Sequence, residues 1–429
     1  MKSWPSDKPS PLWMSLSRET FESNPLEGAA HTEIAIIGGG IAGLAAAIEL
    51  ARRGRKVTVL EAAKVGHGAS GRANGQVISA LTRHGPNALR NIWPGEQAEK
   101  FIKLVKGAAD KLYALADRYS IDCDLSRAGW LQPAHSPGRF KRVSALAAQW
   151  AEAGAPTGVI SPDEMAERLG TKAYDGGWEH LGGGHINPYA FTVGLARGAV
   201  SEGVTIYEQS PALNLKRTHT GWQIKTPNGE IHAEKVVLAT AAHTGNLWPE
   251  LQRSIVPVTS YQVATEPLGD LVRTILPGNE ASSDTRFDLR YFRKDREGRL
   301  VSGGALAIQA GAAYRLPKMV DRRLRELFPC LPRNTVKTFW GGRIAMTVDR
   351  LPHLHRREDG LYSWIGCNGR GLALACAMAD VIADAVCGVA DNQLALRPTP
   401  VSQVAFHPIV SRTARFILPY LRWQDSREV

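Results

Sequence analysis

The chain of 429 residues is 44% apolar and 22% charged, the balance of an ordinary globular protein with room for two domain cores. Lys and Arg outnumber Asp and Glu by 52 to 41, a formal net charge of +11, yet the basic residues are scattered without a recognition motif, so no nucleic-acid partner is expected. No window holds the ~20 apolar residues of a membrane span, residues 1–30 lack the apolar core of a signal peptide, and the five cysteines form no CxxC pair, which argues for a cytoplasmic protein without a disulfide framework or metal site.

Residues 1–30, with Pro5, Pro9, Pro11 and Pro25, read as an irregular arm. A short apolar strand, Ile34–Ile37, then meets Gly38-Gly39-Gly40-Ile41-Ala42-Gly43, and an Ala/Leu-rich helical pattern runs to Arg53. Gly54 ends that helix, and a second strand, Lys56–Leu60, closes on Glu61. The unit has the G-x-G-x-x-G spacing at Gly38, Gly40 and Gly43, which serve a tight turn, close approach to a pyrophosphate and close packing of helix on strand. The helix start offers free N–H groups and a positive dipole end, and a carboxylate at Glu61 can accept both ribose hydroxyls of an adenosine. Dinucleotide binding follows, and the positive net charge suits an anionic ligand.

Further along, Gly66 to Gln76 concentrates small residues around Arg72 and Asn74, as backbone passing close to a flat or charged ligand would. The apolar positions from Phe101 to Ala116 repeat at helical spacing and predict one long amphipathic helix over 95–120. Strands are predicted at 129–133, 204–208, 222–226 and 230–233, the last two around the hairpin signal Asn228-Gly229. The buried-looking run Lys235–Leu238 ends in small residues, a second place for backbone to meet a cofactor. Residues 254–335 alternate in the manner of a mostly antiparallel sheet, with strands such as Phe287–Arg293 and a helix at Met319–Phe328. A last strand, Leu361–Ile365, leads through Gly366-Cys367-Asn368-Gly369-Arg370-Gly371 into an apolar helix, so a second helix start can face a ligand. The tail, Phe406 to Trp423, mixes aromatic and aliphatic residues with Arg412, Arg415 and Arg422. Packing on the body is the preferred reading, with membrane-surface contact as the alternative.

With IIGGGIAGLAAAIELARRGRKVTVLE, GASGRANGQ, VVLATAAHTGNLWP, TVDRLPHL and GCNGRGLALA in view, the chain resembles the D-amino acid oxidase-like family of FAD-dependent oxidoreductases over about 30–400. Within it, GASGR, YQVATEPL and WGGRIAMTVDRLPHL are similar to the gamma-glutamylputrescine oxidoreductase branch. The resemblance implies an α/β fold, a glutathione-reductase-like FAD-binding Rossmann domain (31–90, 156–253 and 336–400) with an inserted α+β substrate domain (91–155 and 254–335), flanked by the arm (1–30) and the tail (401–429). It implies that Gly38, Gly40, Ile41, Ala42 and Gly43 line the pyrophosphate, and that Glu61, Ala62, Ala212, Ala239 and Thr240 hold the adenosine. Ala69, Ser70, Gly71, Arg72 and Gln76 would follow the ribityl chain and ring, and Gly369, Arg370 and Gly371 its pyrimidine edge.

Where sarcosine oxidases of the wider family tether their flavin through cysteine, this chain has the neighbourhood of Gly342, so noncovalent FAD is expected. Ser79 and Ala373 stand where those enzymes hold a substrate carboxylate with Arg and Lys, and Val301 stands nearest their oxygen-activating lysine. The implied function is oxidation of a C–N bond in a small-molecule amine, of gamma-glutamylputrescine type or related, with oxygen or another acceptor. The alternative is a cyclic imino acid such as pipecolate or proline. Gln76, Tyr261 and Arg343 are the candidate catalytic residues, and Tyr261, Arg290 and Tyr291 the substrate contacts.

Overall fold

The computed structural model describes residues 9–428. Ile34–Ile37 has no polar face and is buried throughout, as a strand covered on both sides must be. It ends the strand Gly28–Ile37, which pairs in parallel with Gly229–Leu238 on one side and Val57–Leu60 on the other. The first sheet runs His353–Arg357, Leu361–Ile365, Gly229–Leu238, Gly28–Ile37, Val57–Leu60, Thr205–Tyr207, and an antiparallel ribbon of Trp222–Lys225 and Asn214–Arg217 extends from Gly229–Leu238. Ile37 lies level with both Leu238 and Leu60, so the carboxyl ends of the three central strands form one rim. The order reverses at Gly28–Ile37, and a crevice opens there. Helix α1, Ile41–Arg52, springs from this rim and packs against helix α2, Gly371–Val386.

The second sheet also has eight strands, in the order Val336–Met346, Val256–Thr265, Leu300–Gly304, Tyr291–Lys294, Ala281–Ser283, Trp130–Pro133, Gly177–His180, Thr157–Ile160. All neighbours are antiparallel except Ala281–Ser283 against Trp130–Pro133. The α/β architecture with a mostly antiparallel second sheet is therefore as expected. Residues 157–160, 177–180 and 336–346 nevertheless pair into this second sheet rather than standing with the first. The last pairs along the whole of Val256–Thr265, with one register shift between Ala264 and Thr265 and none at Gly341 or Gly342.

Three elements differ from the sequence reading. The helix over 95–120 is two, Glu96–Lys106 and Ala108–Arg118, divided at Gly107, the residue least costly to bend. Of Phe287–Arg293 only Tyr291–Arg293 lies in a strand, which runs on to Lys294. The preceding loop is held by Asp284, whose Oδ1 accepts from the Arg286 and Arg290 N–H groups. The helix before Phe328 begins seven residues early, at Ala312. The arm forms a short helix, Leu12–Leu16, whose Trp13 is buried edge-on against Trp340.

The tail ends in helix α3, Leu418–Arg427, which docks through charge: Arg422 Nε lies 2.6 Å from Asp288, and Asp425 accepts from the Phe287 and Asp288 N–H groups. Phe406, Phe416, Ile417 and Tyr420 stay more than half exposed. The segment thus packs on the body through polar anchors.

Four histidine rings are buried, His135, His180, His185 and His355, and burial lowers the pKa of each. Burial lowers His180 to about 4; burial and the Arg286 charge take His135 to about 4, and burial and Arg293 take His185 to about 3. The unfolded chain takes these protons up near 6.5, so it binds more protons than the fold between about 6.5 and 4, and stability falls as pH drops through that window. The slope is about 1.4 kcal/mol per pH unit per histidine. Glu61 and Asp284, pushed up by burial, offset part of it. His180→Phe should therefore make denaturant stability against pH shallower by about one proton below pH 6. An unchanged slope would show that His180 does not titrate with unfolding.

Candidate active site

At the rim of the first sheet lies a cleft lined by the 38–40 turn, Glu61 and Ala62, the 66–70 loop and Arg72, Pro211–Leu213, Ala239–Ala241, and Gly341 and Arg343 of the second sheet. The glycines of the turn are set by space. Gly38 has φ +117, and a Cβ there would sit 2.7 Å from the Ala239 carbonyl oxygen. A Cβ on Gly43 would sit 2.0 Å from the Gly38 carbonyl oxygen, so α1 and the strand touch backbone to backbone. A Cβ on Gly40 would meet Ser70 Oγ at 2.8 Å.

That hydroxyl accepts from the Ile41 N–H at 3.0 Å, bringing the 66–72 loop onto the positive end of α1. Glu61 is held from both sides: Oε2 accepts from the Gly39 N–H at 2.7 Å and Oε1 from the Ala63 N–H at 2.9 Å. Burial pushes its carboxyl up, and these backbone donors pull it back. The second lone pair on each oxygen is available to a diol.

Arg72 is spent on backbone. Its Nε donates to the His67 carbonyl at 2.7 Å and its Nη1 to the Gly341 carbonyl at 3.2 Å, while Trp340 Nε1 donates to the Arg72 carbonyl at 2.9 Å. It stitches the loop to the second sheet, and burial lowers its pKa.

The cleft thus brings together Gly38, Gly40, Glu61, Ala62, Ala69, Ser70, Arg72, Ala212, Ala239, Thr240 and Arg343. Ile41, Ala42, Gly43 and Gly71 lie directly behind its wall; a Cβ on Gly71 would meet the Gly66 carbonyl oxygen at 2.0 Å. Gln76 sits further in, between the sheets: Nε2 donates to the Ser282 carbonyl at 2.9 Å, and Oε1 accepts from Trp130 Nε1 at 3.2 Å. Gly369, Arg370 and Gly371 form the start of α2, and Arg370 reaches Thr82 Oγ1 at 2.8 Å and lies over the Trp130 ring. The Gln76 and Arg370 regions therefore meet at Trp130.

The three aromatic and basic candidates of the second sheet are more engaged. Tyr261 stacks on Phe339 with centroids 5.4 Å apart and borders Gly341. The Tyr291 hydroxyl donates to the Tyr261 carbonyl at 3.2 Å and accepts from Gln262 Nε2 at 2.8 Å, inside the sheet. Arg290 pairs with Glu326 at 3.1 Å. Ser79 is buried and accepts from the Ala109 N–H, and Val301 is buried beside Trp13 and Trp340.

One residue that the sequence placed only at the end of a strand, and not among the site candidates, organises this region. Arg293 is 2% exposed, donates to the carbonyls of Asn74 (2.8 Å), Ile186 (2.7 Å) and Lys294 (3.0 Å), and stacks over Trp13 at 4.3 Å. It ties the Asn74–Gln76 segment to the second sheet.

Comparison with known proteins agrees with this architecture. The family model "FAD dependent oxidoreductase" (DAO) matches residues 33–385. A probable oxidoreductase OrdL of Rhizobium meliloti (strain 1021) is 32% identical over 355 residues, 82% of each chain. The gamma-glutamylputrescine oxidoreductase of Escherichia coli (strain K12) is 27% identical over 363 residues, 84% of each chain. Among solved structures, L-proline dehydrogenase from P. horikoshii superposes with a TM-score of 0.71 at 22% identity, covering 84% of this chain and 94% of that one. Glycine oxidase from Geobacillus kaustophilus gives 0.68 at 23% identity, with 87% and 100% covered; at this identity both show the fold. With the match running through the glycine turn, Glu61 and the start of α2, the chain belongs to the DAO family of FAD-dependent oxidoreductases.

Proposed function

We propose that this protein oxidises a C–N bond of an amine of the gamma-glutamylputrescine type to an imine, which water hydrolyses to an aldehyde. The observation that carries the reading is a backbone cradle continuous from the 38–40 turn to Arg343, in a chain whose relatives include a gamma-glutamylputrescine oxidoreductase. The cradle fits FAD: Gly40 leaves no room for a side chain beside Ser70, α1 presents its positive end, and Glu61 keeps lone pairs for the ribose. Bound FAD supplies the acceptor for the hydride that leaves the amine carbon.

The chain's own residues bind, orient and dry the site. Gly38, Gly40 and Gly43 hold the pyrophosphate against α1, and Glu61 with Ala62, Ala212, Ala239 and Thr240 holds the adenosine. Ser70, Gly71 and Gln76 follow the remainder, and Gly369–Gly371 closes its far edge. Gln76 and Tyr261 orient the amine, and Arg343 stands at the cleft without an ion pair among the described residues. Apolar walls such as Trp130 lower the amine's pKa by desolvation and favour the neutral form, so no separate general base is required. With Ser79 and Ala373 both buried, no cation at those two places meets a carboxylate beside the reacting carbon.

The cofactor is held without a covalent bond. Acid precipitation should release all the flavin to the supernatant; a yellow pellet overturns this. A second reading, a cyclic imino acid with its carboxylate on Arg343, rests on that residue's free guanidinium. Steady-state turnover of gamma-glutamylated amines against pipecolate and proline, with aldehyde trapped as product, separates the two. Turnover of the imino acids alone would reject the amine.

A further inference from the structure

A cluster of arginines lies beside Trp130, where Thr82–Arg83, the 347–350 turn and the 366–371 loop come together. Thr347 and Asn368 bind these last two segments to each other: the Thr347 N–H donates to Asn368 Oδ1 at 2.9 Å. Arg350 is held at φ +63 at the end of its turn.

Other basic residues near this cluster are already paired. Arg139 is bound by Glu428, Arg286 by Asp284, and Arg290 by Glu326. Asp349, the nearest carboxylate in sequence to Arg350, is taken by His353 at 3.0 Å and by the Leu351 N–H. Arg83, Arg350 and Arg370 differ: among the described residues none of their side chains has a carboxylate partner. Burial lowers the pKa of all three guanidiniums, with the Arg350 and Arg139 charges adding to the shift at Arg83 and the Arg83 charge adding to it at Arg370. Arg370 spends Nη2 on Thr82, while its Nη1 is buried with no hydrogen-bond partner. Trp130 backs it at 5.4 Å, and Phe287 backs Arg83 at 5.9 Å.

Three like charges, two of them on aromatic rings and the deepest with a buried unsatisfied donor, oppose folding unless an anion neutralises them. We propose that Arg83, Arg350 and Arg370 form a recognition site for a carboxylate at the far end of the amine substrate. Planar guanidiniums suit a carboxylate's paired oxygens. Arg83 and Arg350, exposed at the rim, draw the anion in, and Arg370 receives it below. The substrate class narrows to amines bearing a carboxylate several bonds from the reacting nitrogen. The proposal rests on the amine reading above and adds the residues that select the acidic end.

The test uses holoenzyme and glutarate, a carboxylate with no oxidisable amine, titrated by calorimetry into wild type, Arg83→Met, Arg350→Met and Arg83→Lys. Saturable binding is expected in wild type, weakened about tenfold or more in each Met variant and only partly restored in Arg83→Lys, which keeps the charge and loses the fork. Thermal midpoints of the Met variants should equal or exceed wild type, because each removes a repelled charge. For alkylamines with and without a terminal carboxylate, the Met variants should raise KM for the acidic member alone and leave kcat within about twofold. Equal glutarate affinity in all four proteins, or no saturable binding in wild type, overturns the site even if amines are turned over. Arginine-dependent glutarate binding without reduction of flavin by any amine keeps the site and rejects the amine reading.

Discussion

Gly43→Val should give a protein that purifies without flavin and melts well below wild type. The first Cβ atom alone would stand 2.0 Å from the Gly38 carbonyl oxygen and 3.2 Å from the Ala239 Cβ. Neither neighbour can yield. Gly38 is fixed at φ +117 between Leu60, whose carbonyl accepts its N–H, and Ala239, and Ala239 follows the central strand Gly229–Leu238. Helix α1 must therefore lift from the strand, which moves its positive end and the Ile41 N–H away from the cradle. Overpacking of this kind costs about 1–3 kcal/mol, and more where backbone has to shift. The absorbance ratio of flavin to protein and the thermal midpoint check it. A yellow, wild-type-stable variant would mean that the close approach of helix and strand is not what forms the site.

Arg293→Ala should cost about 3–5 kcal/mol, the scale of leaving several buried carbonyls without a charged donor, with loss of flavin as a secondary effect. The substitution strands the carbonyls of Asn74, Ile186 and Lys294 in a buried place and leaves a void beneath Trp13. Burial lowers the guanidinium to about 10, still charged at neutral pH, so all three bonds are charge-assisted. Because Asn74 precedes Gln76 by two residues, the segment carrying Gln76 loses its tie to the second sheet. Denaturant midpoint and flavin occupancy read the two effects separately. Arg293→Lys should recover part of the stability, since one ammonium cannot reach three carbonyls. Stability within 1 kcal/mol of wild type in the Ala variant would remove Arg293 from this role.

The first strand–turn–helix–strand unit was legible because every local signal agreed. Its apolar strand, glycine spacing, helix stop and terminal acid lie within one short stretch of chain, and the structure uses each of them there. The second sheet was less legible because its pairings are distant. Val336–Met346 carries no predicted strand, and Gly341 is small because the Tyr261 ring lies 3.0 Å from where its Cβ would be. Only the neighbouring strand explains that residue. Arg293 ends the predicted strand Phe287–Arg293, and nothing local shows that its guanidinium is buried against the carbonyls of Asn74 and Ile186, each more than a hundred residues away. Likewise Arg83, Arg350 and Arg370 come from three separate loops, and their convergence exists only in the fold. The break at Gly107 shows the opposite limit: the apolar spacing continues across it, and periodicity alone joined two helices into one.

The central claim, that this chain removes a hydride from a carboxylated amine, is tested most directly by mixing holoenzyme with substrate in the absence of oxygen. Flavin absorbance should bleach in a single turnover with a gamma-glutamylated amine such as gamma-glutamylputrescine, and the rate should saturate with concentration. Persistent yellow colour with every amine offered, alongside bleaching by pipecolate or proline or by none, would contradict it.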